Sequence, residues 1–427
     1  MSSDKLERYH QMSSKEIGLG SFGVVFKARD RKDNRVVAIK RLIDRDDINV
    51  REHARVEIGF LETIQDDARK RNKESHVVTL LDHFFWGGCH FLVFEALTLS
   101  LHDLILEYSH SQGLPLDLIR CISAQIIQGI EFLEEVGIVH CDLKPENVML
   151  MAPAKFDVLG DLEWKVKIID LGSAQCLDEL PGLCYVQSRW YRAPEVHMGL
   201  PLDSKIDLWS LGCIMAELFT TKPLFSGIPS SKNQVIQWTP TEASLFDICR
   251  RLGPIPRDML SDAIEIQTRD GCGEDLNLLD HDFRAALREY ECIHDAHSGL
   301  TSILGIVDAR SNDVKVKSDQ SKNKVSVDED EETLVDRIET GFYSMFCGTQ
   351  EVKKEKKKKG KKLTLLNDTQ CESMAFLDLL KSLLQLDPAK RVNTKEAMQY
   401  LFIKNGKMAP KFPESPTSIG DFDLPYT

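Results

Sequence analysis

Four separated stretches of this 427-residue chain hold residue types that do chemistry once they meet. Gly18-Leu19-Gly20-Ser21-Phe22-Gly23-Val24-Val25 spaces its glycines as G-x-G-x-x-G. Without a Cβ, the glycine backbone lets its amides approach phosphate oxygens closely. A dinucleotide fingerprint needs a helix straight after the glycines, whereas Val24 to Ala28 continues as strand. A phosphate-cradling turn and a plain hairpin turn therefore both fit. Lys40 ends the apolar run Val37-Ala38-Ile39 seventeen residues after Gly23. A lysine there needs an anion, either phosphate or a helix carboxylate such as Glu57, unless it snorkels into solvent. The third stretch, Ile138 to Met149, carries His140, Asp142, Lys144 and Asn147; the fourth pairs Asp170-Leu171-Gly172 with Arg192-Ala193-Pro194-Glu195. Each piece alone also reads as an ordinary turn.

The elements that must position these residues are legible from periodicity. Residues 15–26 read as a hairpin bent around the glycines, and the β-branched run 35–43 as a buried strand. Val50, Ala54, Ile58, Leu61, Ile64 and Ala68 recur at three- and four-residue steps, which predicts an amphipathic helix over 47–70. Strands over 77–85 and 90–94 follow, turned by Gly87-Gly88. Beyond residue 98 the pattern is helical. Ile119, Ile122, Ile126, Ile130 and Leu133 share one face, 206–220 is apolar nearly all round, and 374–386 and 394–402 are further helices. A small strand-rich lobe followed by a larger helical lobe is the expected architecture. Residues 311–332, ending in an acidic run, and 353–362, with eight lysines in ten residues, read as solvated insertions. A nuclear-import signal and an RNA or acidic-protein contact remain open for the lysine tract.

Composition narrows the class. Hydrophobic residues make up 42% and the net charge is −13, which argues against an overall basic nucleic-acid binder. Eleven scattered cysteines, an odd number without a CxxC pair, fit reduced intracellular thiols. Met1 to Gln11 has no apolar signal core, and no stretch reaches the ~18 apolar residues of a membrane span. The expectation is a soluble protein of the cytoplasm, the nucleus or both, without a membrane partner.

Taken in order, the glycine loop, Lys40, the stretch His140-Cys141-Asp142-Leu143-Lys144-Pro145-Glu146-Asn147, Asp170-Leu171-Gly172 and Ala193-Pro194-Glu195 resemble the eukaryotic protein kinases. The resemblance runs from about Glu16 to Phe402 and implies an α+β, bilobal protein kinase fold. A small antiparallel-sheet lobe with one main helix is followed by a larger, mostly helical lobe. It implies an extension at 1–14, a small lobe with hinge at 15–97, and a large lobe at 98–404 with insertions at about 151–164, 290–335 and 350–365. Residues 405–427 would be a tail. It also implies ATP and Mg²⁺ as cofactors and protein Ser/Thr hydroxyls as acceptors. Asp142 would be the base, Lys144 the cation at the transferred phosphate, and Asn147 and Asp170 the metal ligands. Lys40, paired with Glu57, would hold phosphates under Gly18, Gly20, Ser21, Phe22 and Gly23. Adenine would lie against the hinge at Phe94, Glu95 and Leu97, between Val25, Ala38 and Met149; core packing explains those apolar positions nearly as well.

Tyr185-Val186-Gln187-Ser188-Arg189-Trp190-Tyr191-Arg192, with His140-Cys141-Asp142 and Leu252-Gly253-Pro254, is most similar to the dual-specificity tyrosine-regulated and homeodomain-interacting kinase branch of the CMGC group. That resemblance implies autophosphorylation at Tyr185, with Arg189 and Arg192 near enough in sequence to meet the new charge. It also implies Ser188 as a hydroxyl bonded to Asp142 and Lys144, proline-directed protein substrates, and a monomeric catalytic domain. Asp207 would brace the catalytic loop, and Arg391 would pair with Glu195. Three departures stand out: Cys141 replaces an arginine that grips a loop phosphate, Leu171 replaces phenylalanine, and Asp170 lies 23 positions after Asn147, a longer span than usual. A nucleotide-binding scaffold without turnover is the competing reading; the complete set of Lys40, Glu57, Asp142, Lys144, Asn147 and Asp170 speaks against it.

Overall fold

The computed structural model describes residues 2–13, 16–20, 23–43, 48–108, 113–151, 164–180, 185–227, 239–270 and 368–404. Ser21, Phe22 and the segments 290–335, 350–365 and 405–427 lie outside the described residues, as does most of 151–164.

The small lobe is an antiparallel sheet in the order β1(Tyr9–Gln11)-β3(Gly23–Asp30)-β4(Val36–Ile43)-β6(Cys89–Glu95)-β5(Leu80–Trp86), with β2(Gly18–Gly20) also on β3. Register sorts its two faces. Val25 lies opposite Lys40, and Ala38 opposite Phe94, so these four share one face. Val37, Ile39 and Val93 alternate to the other, where they pack with Tyr9, Ala28, Phe84 and Phe91. That outer face explains why residues 2–11 are not a free extension. They form helix α1(Ser2–Arg8) and strand β1, which close the face with Leu6 and Tyr9. Arg8 donates to Asp30 at 2.8 and 2.6 Å, and the Tyr9 hydroxyl donates to Asp82 at 3.0 Å. Gly23 is dictated by the sheet itself: a Cβ there would sit 2.3 Å from the Arg41 carbonyl oxygen.

Helix α2(Ile48–Arg71) lies against the other face, toward the large lobe. Ala54, Glu57, Leu61 and Ile64 are its buried stripe, so the 3- and 4-residue spacing that builds the helix also carries one carboxylate inside. The strand expected over 77–85 begins only at Leu80, because 76–78 bond instead to β10(Val166–Ile168): Val78 N donates to Ile168 O at 2.9 Å and Ile168 N to His76 O at 2.8 Å.

The large lobe is built on α4(Leu116–Glu135) and α6(Lys205–Thr220). Every residue from Ile206 to Phe219 is buried, as the all-round apolar pattern predicts. Gly129 lets α4 approach β10, since a Cβ would lie 2.7 Å from the Ile168 side chain. The expected helix over 394–402 is instead two short ones, Thr394–Ala397 and Leu401–Lys404, the first opened by an Asn393–Glu396 capping box. Helix Asp368–Leu383 packs on α6, with Phe376 5.1 Å from Phe219 and 5.2 Å from Phe402 between ring centroids.

Candidate active site

Two hairpins bring the chemistry together. Strand β9(Val148–Met151) pairs antiparallel with β10, Val148 opposite Ile168, and Ile169 N donates to the Asn147 carbonyl at 2.9 Å. Asn147 just before β9 and Asp170 just after β10 therefore stand side by side, whatever the length of chain between them. Strand β8(Ile138–Val139) pairs with β11(Gln175–Cys176) and launches the loop carrying Asp142 and Lys144. That loop is held from below: buried Asp207 on α6 accepts from His140 N at 2.7 Å and Cys141 N at 3.1 Å. Burial pushes the Asp207 carboxyl up to about 6, against the pull of His140 and these two amides.

The residues expected at the site meet one another. Lys144 Nζ donates to Asp142 Oδ2 at 2.7 Å and to Ser188 Oγ at 3.1 Å, while Ser188 Oγ donates to Asp142 Oδ1 at 2.6 Å. Asn147 Nδ2 donates to the Asp142 carbonyl at 2.8 Å. Lys40 Nζ reaches Glu57 Oε1 at 2.8 Å, Glu57 Oε2 at 2.9 Å and Asp170 Oδ1 at 2.8 Å. Burial works against the Lys40 ammonium, but Glu57 and Asp170 outweigh it and keep the group charged. Burial also works against the Asp170 carboxylate, and Lys40 holds it below the ordinary range. The Asp170 side chain is nonetheless 44% exposed, so an oxygen remains open to the cleft. Asp170 and Cys141 both adopt left-handed backbone, φ 61° and 62°, strain that the packed loop absorbs. Leu171 is fully buried in the main core, so this departure changes packing and leaves the carboxylate in place.

The donor set suits a hard cation shared with phosphates. Asp170 and Asn147 offer oxygens, and among the described residues no cluster of three or more His, Cys, Asp or Glu stands together to cage a metal alone. Val25, Ala38 and Phe94 stand on the sheet face that carries Lys40, and Met149 is half-buried on β9. Leu97 opens β7(Leu97–Ser100), which pairs with β9 opposite Met151. The Glu95 side chain turns away from any ligand: Oε1 accepts from Thr79 N at 2.7 Å and from Lys167 Nζ at 2.7 Å.

Tyr185 is 63% exposed, with the Arg192 guanidinium 4.1 Å above its ring. Hydrogen bonding and charge from Arg192, then Arg189, hold its phenol below the ordinary value. Arg192 also donates to the Gln187 carbonyl at 3.2 and 2.8 Å, and Gln187 sits at φ 67° with its side chain buried against Ile206 O, Ser210 and Ala193 N. Sequence reasoning passed over Gln187; nothing in a residue type announces a left-handed glutamine whose carbonyl is taken. Arg391 and Glu195 pair at 2.6 and 2.9 Å with 0% and 1% side-chain exposure, as expected.

Residues 11–270 match the protein kinase domain family model. A dual specificity protein kinase YAK1 homolog of Arabidopsis thaliana is 30% identical over 410 residues, 94% of this chain and 37% of that protein. The human dual specificity tyrosine-phosphorylation-regulated kinase 4 is 38% identical over 213 residues, 49% of this chain and 38% of its own. A Schizosaccharomyces pombe serine/threonine-protein kinase, ppk5, is 41% identical over 213 residues, 49% and 24% respectively. The chain thus spans well under half the length of the curated relatives it matches. A family match over most of the described residues shows the family: the chain belongs to the protein kinase domain family, and the relatives it is similar to include dual specificity kinases.

Proposed function

We propose that the chain transfers the γ-phosphoryl group of ATP, with Mg²⁺, to Ser or Thr hydroxyls of proteins and to its own Tyr185. The observation that carries this reading is the triangle Asp142, Lys144 and Ser188 facing Lys40 and Asp170. Bound ATP and Mg²⁺ supply the phosphoryl group and the charge that makes its transfer possible. Asp142 orients the acceptor hydroxyl and takes its proton. Lys144 stands beside it to neutralise developing charge, and Ser188 fixes both. Lys40, kept charged by Glu57, holds phosphate oxygens. Glu95 and Leu97 present backbone to adenine, while Val25, Ala38, Phe94 and Met149 enclose it.

Substrate choice follows from Gln187. Arg192 occupies its carbonyl, so a substrate residue after the acceptor finds no partner for its N–H there. Proline has no N–H to satisfy, which supports a proline-directed kinase. Upstream, Glu146 is exposed beside a cleft of about 270 Å³ that it lines with Trp190 and Tyr191. Buried Glu217, bonded to the Tyr191 hydroxyl at 2.7 Å and pushed up to about 7 by burial, lies within electrostatic reach of Glu146. Buried and raised in this way, Glu217 adds little charge, so it is the exposed Glu146 carboxylate, beside Lys144 and Arg189 of the same cleft, that supports a preference for basic residues. The site is assembled within one chain, which fits a monomer, and the seven cysteines of the described residues, held as thiols, fit a reducing compartment, cytoplasm or nucleus.

Mass spectrometry of the bacterially expressed full chain tests the reading. Phosphate on Tyr185 in the wild type and its absence in Asp142→Asn is the expected result. No phosphate anywhere and no turnover of Ser-Pro or Ser-Ala peptides would leave a scaffold.

A further inference from the structure

The charged network behind the hinge takes no part in the chemistry described so far. Lys167 sits in the middle of β10, opposite Met149 on β9. Its neighbours Val166 and Ile168 point into the helical core and are fully buried, so Lys167 stands on the opposite face of the strand. Its ammonium reaches across to Glu95 Oε1 at 2.7 Å and to Thr79 Oγ1 at 3.3 Å. Glu95 is further tied to Thr79 through two backbone groups: Thr79 N donates to Glu95 Oε1 and Glu95 N donates to Thr79 O at 3.2 Å. Segment 76–78 is bonded in turn along β10. Lys167 is 12% exposed and Glu95 21%, so removing one partner leaves the other mostly desolvated and unpaired.

One strand therefore controls both ends of the cleft. Three residues beyond Lys167, β10 delivers Asp170; sideways, through Lys167, it fixes Glu95, the last residue of β6 before the hinge turns into β7. This ion pair spans the hinge, so rotating β6 against β10 would pull on it. The pair is intact while Lys40, Glu57 and Asp170 are assembled, so it belongs to the assembled arrangement.

We propose that Lys167, with Glu95 and Thr79, is a positioning residue that locks the hinge at the lobe angle at which adenine and phosphate sites are in register. The proposal rests on the nucleotide-binding reading above. Holding the hinge in its bound form lowers the ordering cost of binding, so the effect falls on nucleotide and not on peptide.

Binding of a fluorescent ATP analogue and steady-state kinetics on a Ser-Pro peptide, both with the full chain, provide the test. Lys167→Met is expected to raise Kd and KM for nucleotide about tenfold, with KM for peptide within about twofold of wild type; Lys167→Arg restores most of the loss. Glu95→Gln keeps an acceptor for Thr79 N and removes only the charge that Lys167 faces. It should shift nucleotide binding in the same direction, and keeps the test decisive if Lys167→Met folds poorly. Nucleotide KM unchanged or lowered in both variants, or nucleotide and peptide KM rising together, overturns the lock. A wild-type chain that binds no nucleotide overturns the kinase reading itself, a result distinct from either.

Discussion

At the scale of single residues, the cleft works by keeping charged groups charged in a place that would neutralise them. Lys40 is the clearest case, buried yet held cationic by two carboxylates. Lys40→Met should lower turnover by orders of magnitude, because the phosphate cation is lost, and should also lower the midpoint of thermal unfolding, because buried Glu57 loses its partner; near-normal turnover of the folded fraction would refute the phosphate role. Ser188 contributes two bonds to charged groups, each worth about 1.5–3 kcal/mol in general. Ser188→Ala should therefore cut kcat roughly 10- to 100-fold with KM for ATP nearly constant. A kcat within twofold of wild type would show that Lys144 and Asp142 hold each other unaided. Arg192 and Gln187 make a third case. Arg192→Met frees the Gln187 carbonyl, and the ratio of kcat/KM for Ser-Pro over Ser-Ala peptides should fall toward one. These residues differ in legibility. Asp142, Lys144, Asn147 and Asp170 could be read from their order, because each lies in a short stretch whose neighbours also matched. Gln187 and Lys167 could not, because their roles depend on a backbone angle and on a partner seventy residues away.

At the scale of elements, what matters is what each helix carries inside. Helix α6 is apolar all round, and the polar residues that it buries serve its neighbours: Asp207 braces the catalytic loop, Ser210 donates to Tyr191 O at 2.8 Å, and Glu217 takes the Tyr191 hydroxyl. The short helix Pro194–His197 carries a different kind of group. His197 is buried with neither ring nitrogen hydrogen-bonded among the described residues, and burial, followed by Arg192 and Arg189, holds it well below its ordinary pKa. The unfolded chain then binds a proton that the fold refuses, so this group's contribution to stability is full above about pH 6.5 and is lost as pH falls below it. The slope from one such group is about 1.4 kcal/mol per pH unit. Denaturant midpoints measured between pH 7.5 and 5.5 should therefore fall less steeply in His197→Leu than in wild type; parallel curves would place the imidazole in contact with water. Periodicity located α6 well, but could not show that 76–78 would bond to β10 instead of extending β5, since β10 lies ninety residues further on.

At the scale of the whole molecule, the lobe that carries the cleft is closed by chain lying beyond the family match. Arg391 arrives nearly two hundred residues after Glu195, donates to both its oxygens and stacks 5.2 Å from the Trp209 ring centroid. Arg391→Met would leave Glu195 buried without a partner and should cost about 3–5 kcal/mol of stability, read as a drop in the unfolding midpoint with little change in KM for ATP in the folded fraction. Arg120 on α4 plays a similar part, bonding Asp117 and Glu372 beneath the Phe402 ring. The N-terminal residues close the opposite end: Lys5, Arg8 and Tyr9 converge on Asp82, and Asp30 is held below the ordinary carboxylate range by Arg8.

The amino-acid sequence alone determined the two-lobe order, the helix that brings Glu57 inward, and which polar residues the cleft brings together. Each depends on local spacing or on a motif whose parts are neighbours in the chain. Tertiary structure alone decided that residues 9–11 join the sheet and helix α1 covers its outer face, that Glu95 faces Lys167 and leaves only backbone to the hinge, and that the Gln187 carbonyl is occupied. Those facts are pairings between distant strands, and a pairing is fixed by packing and register, which no single segment contains.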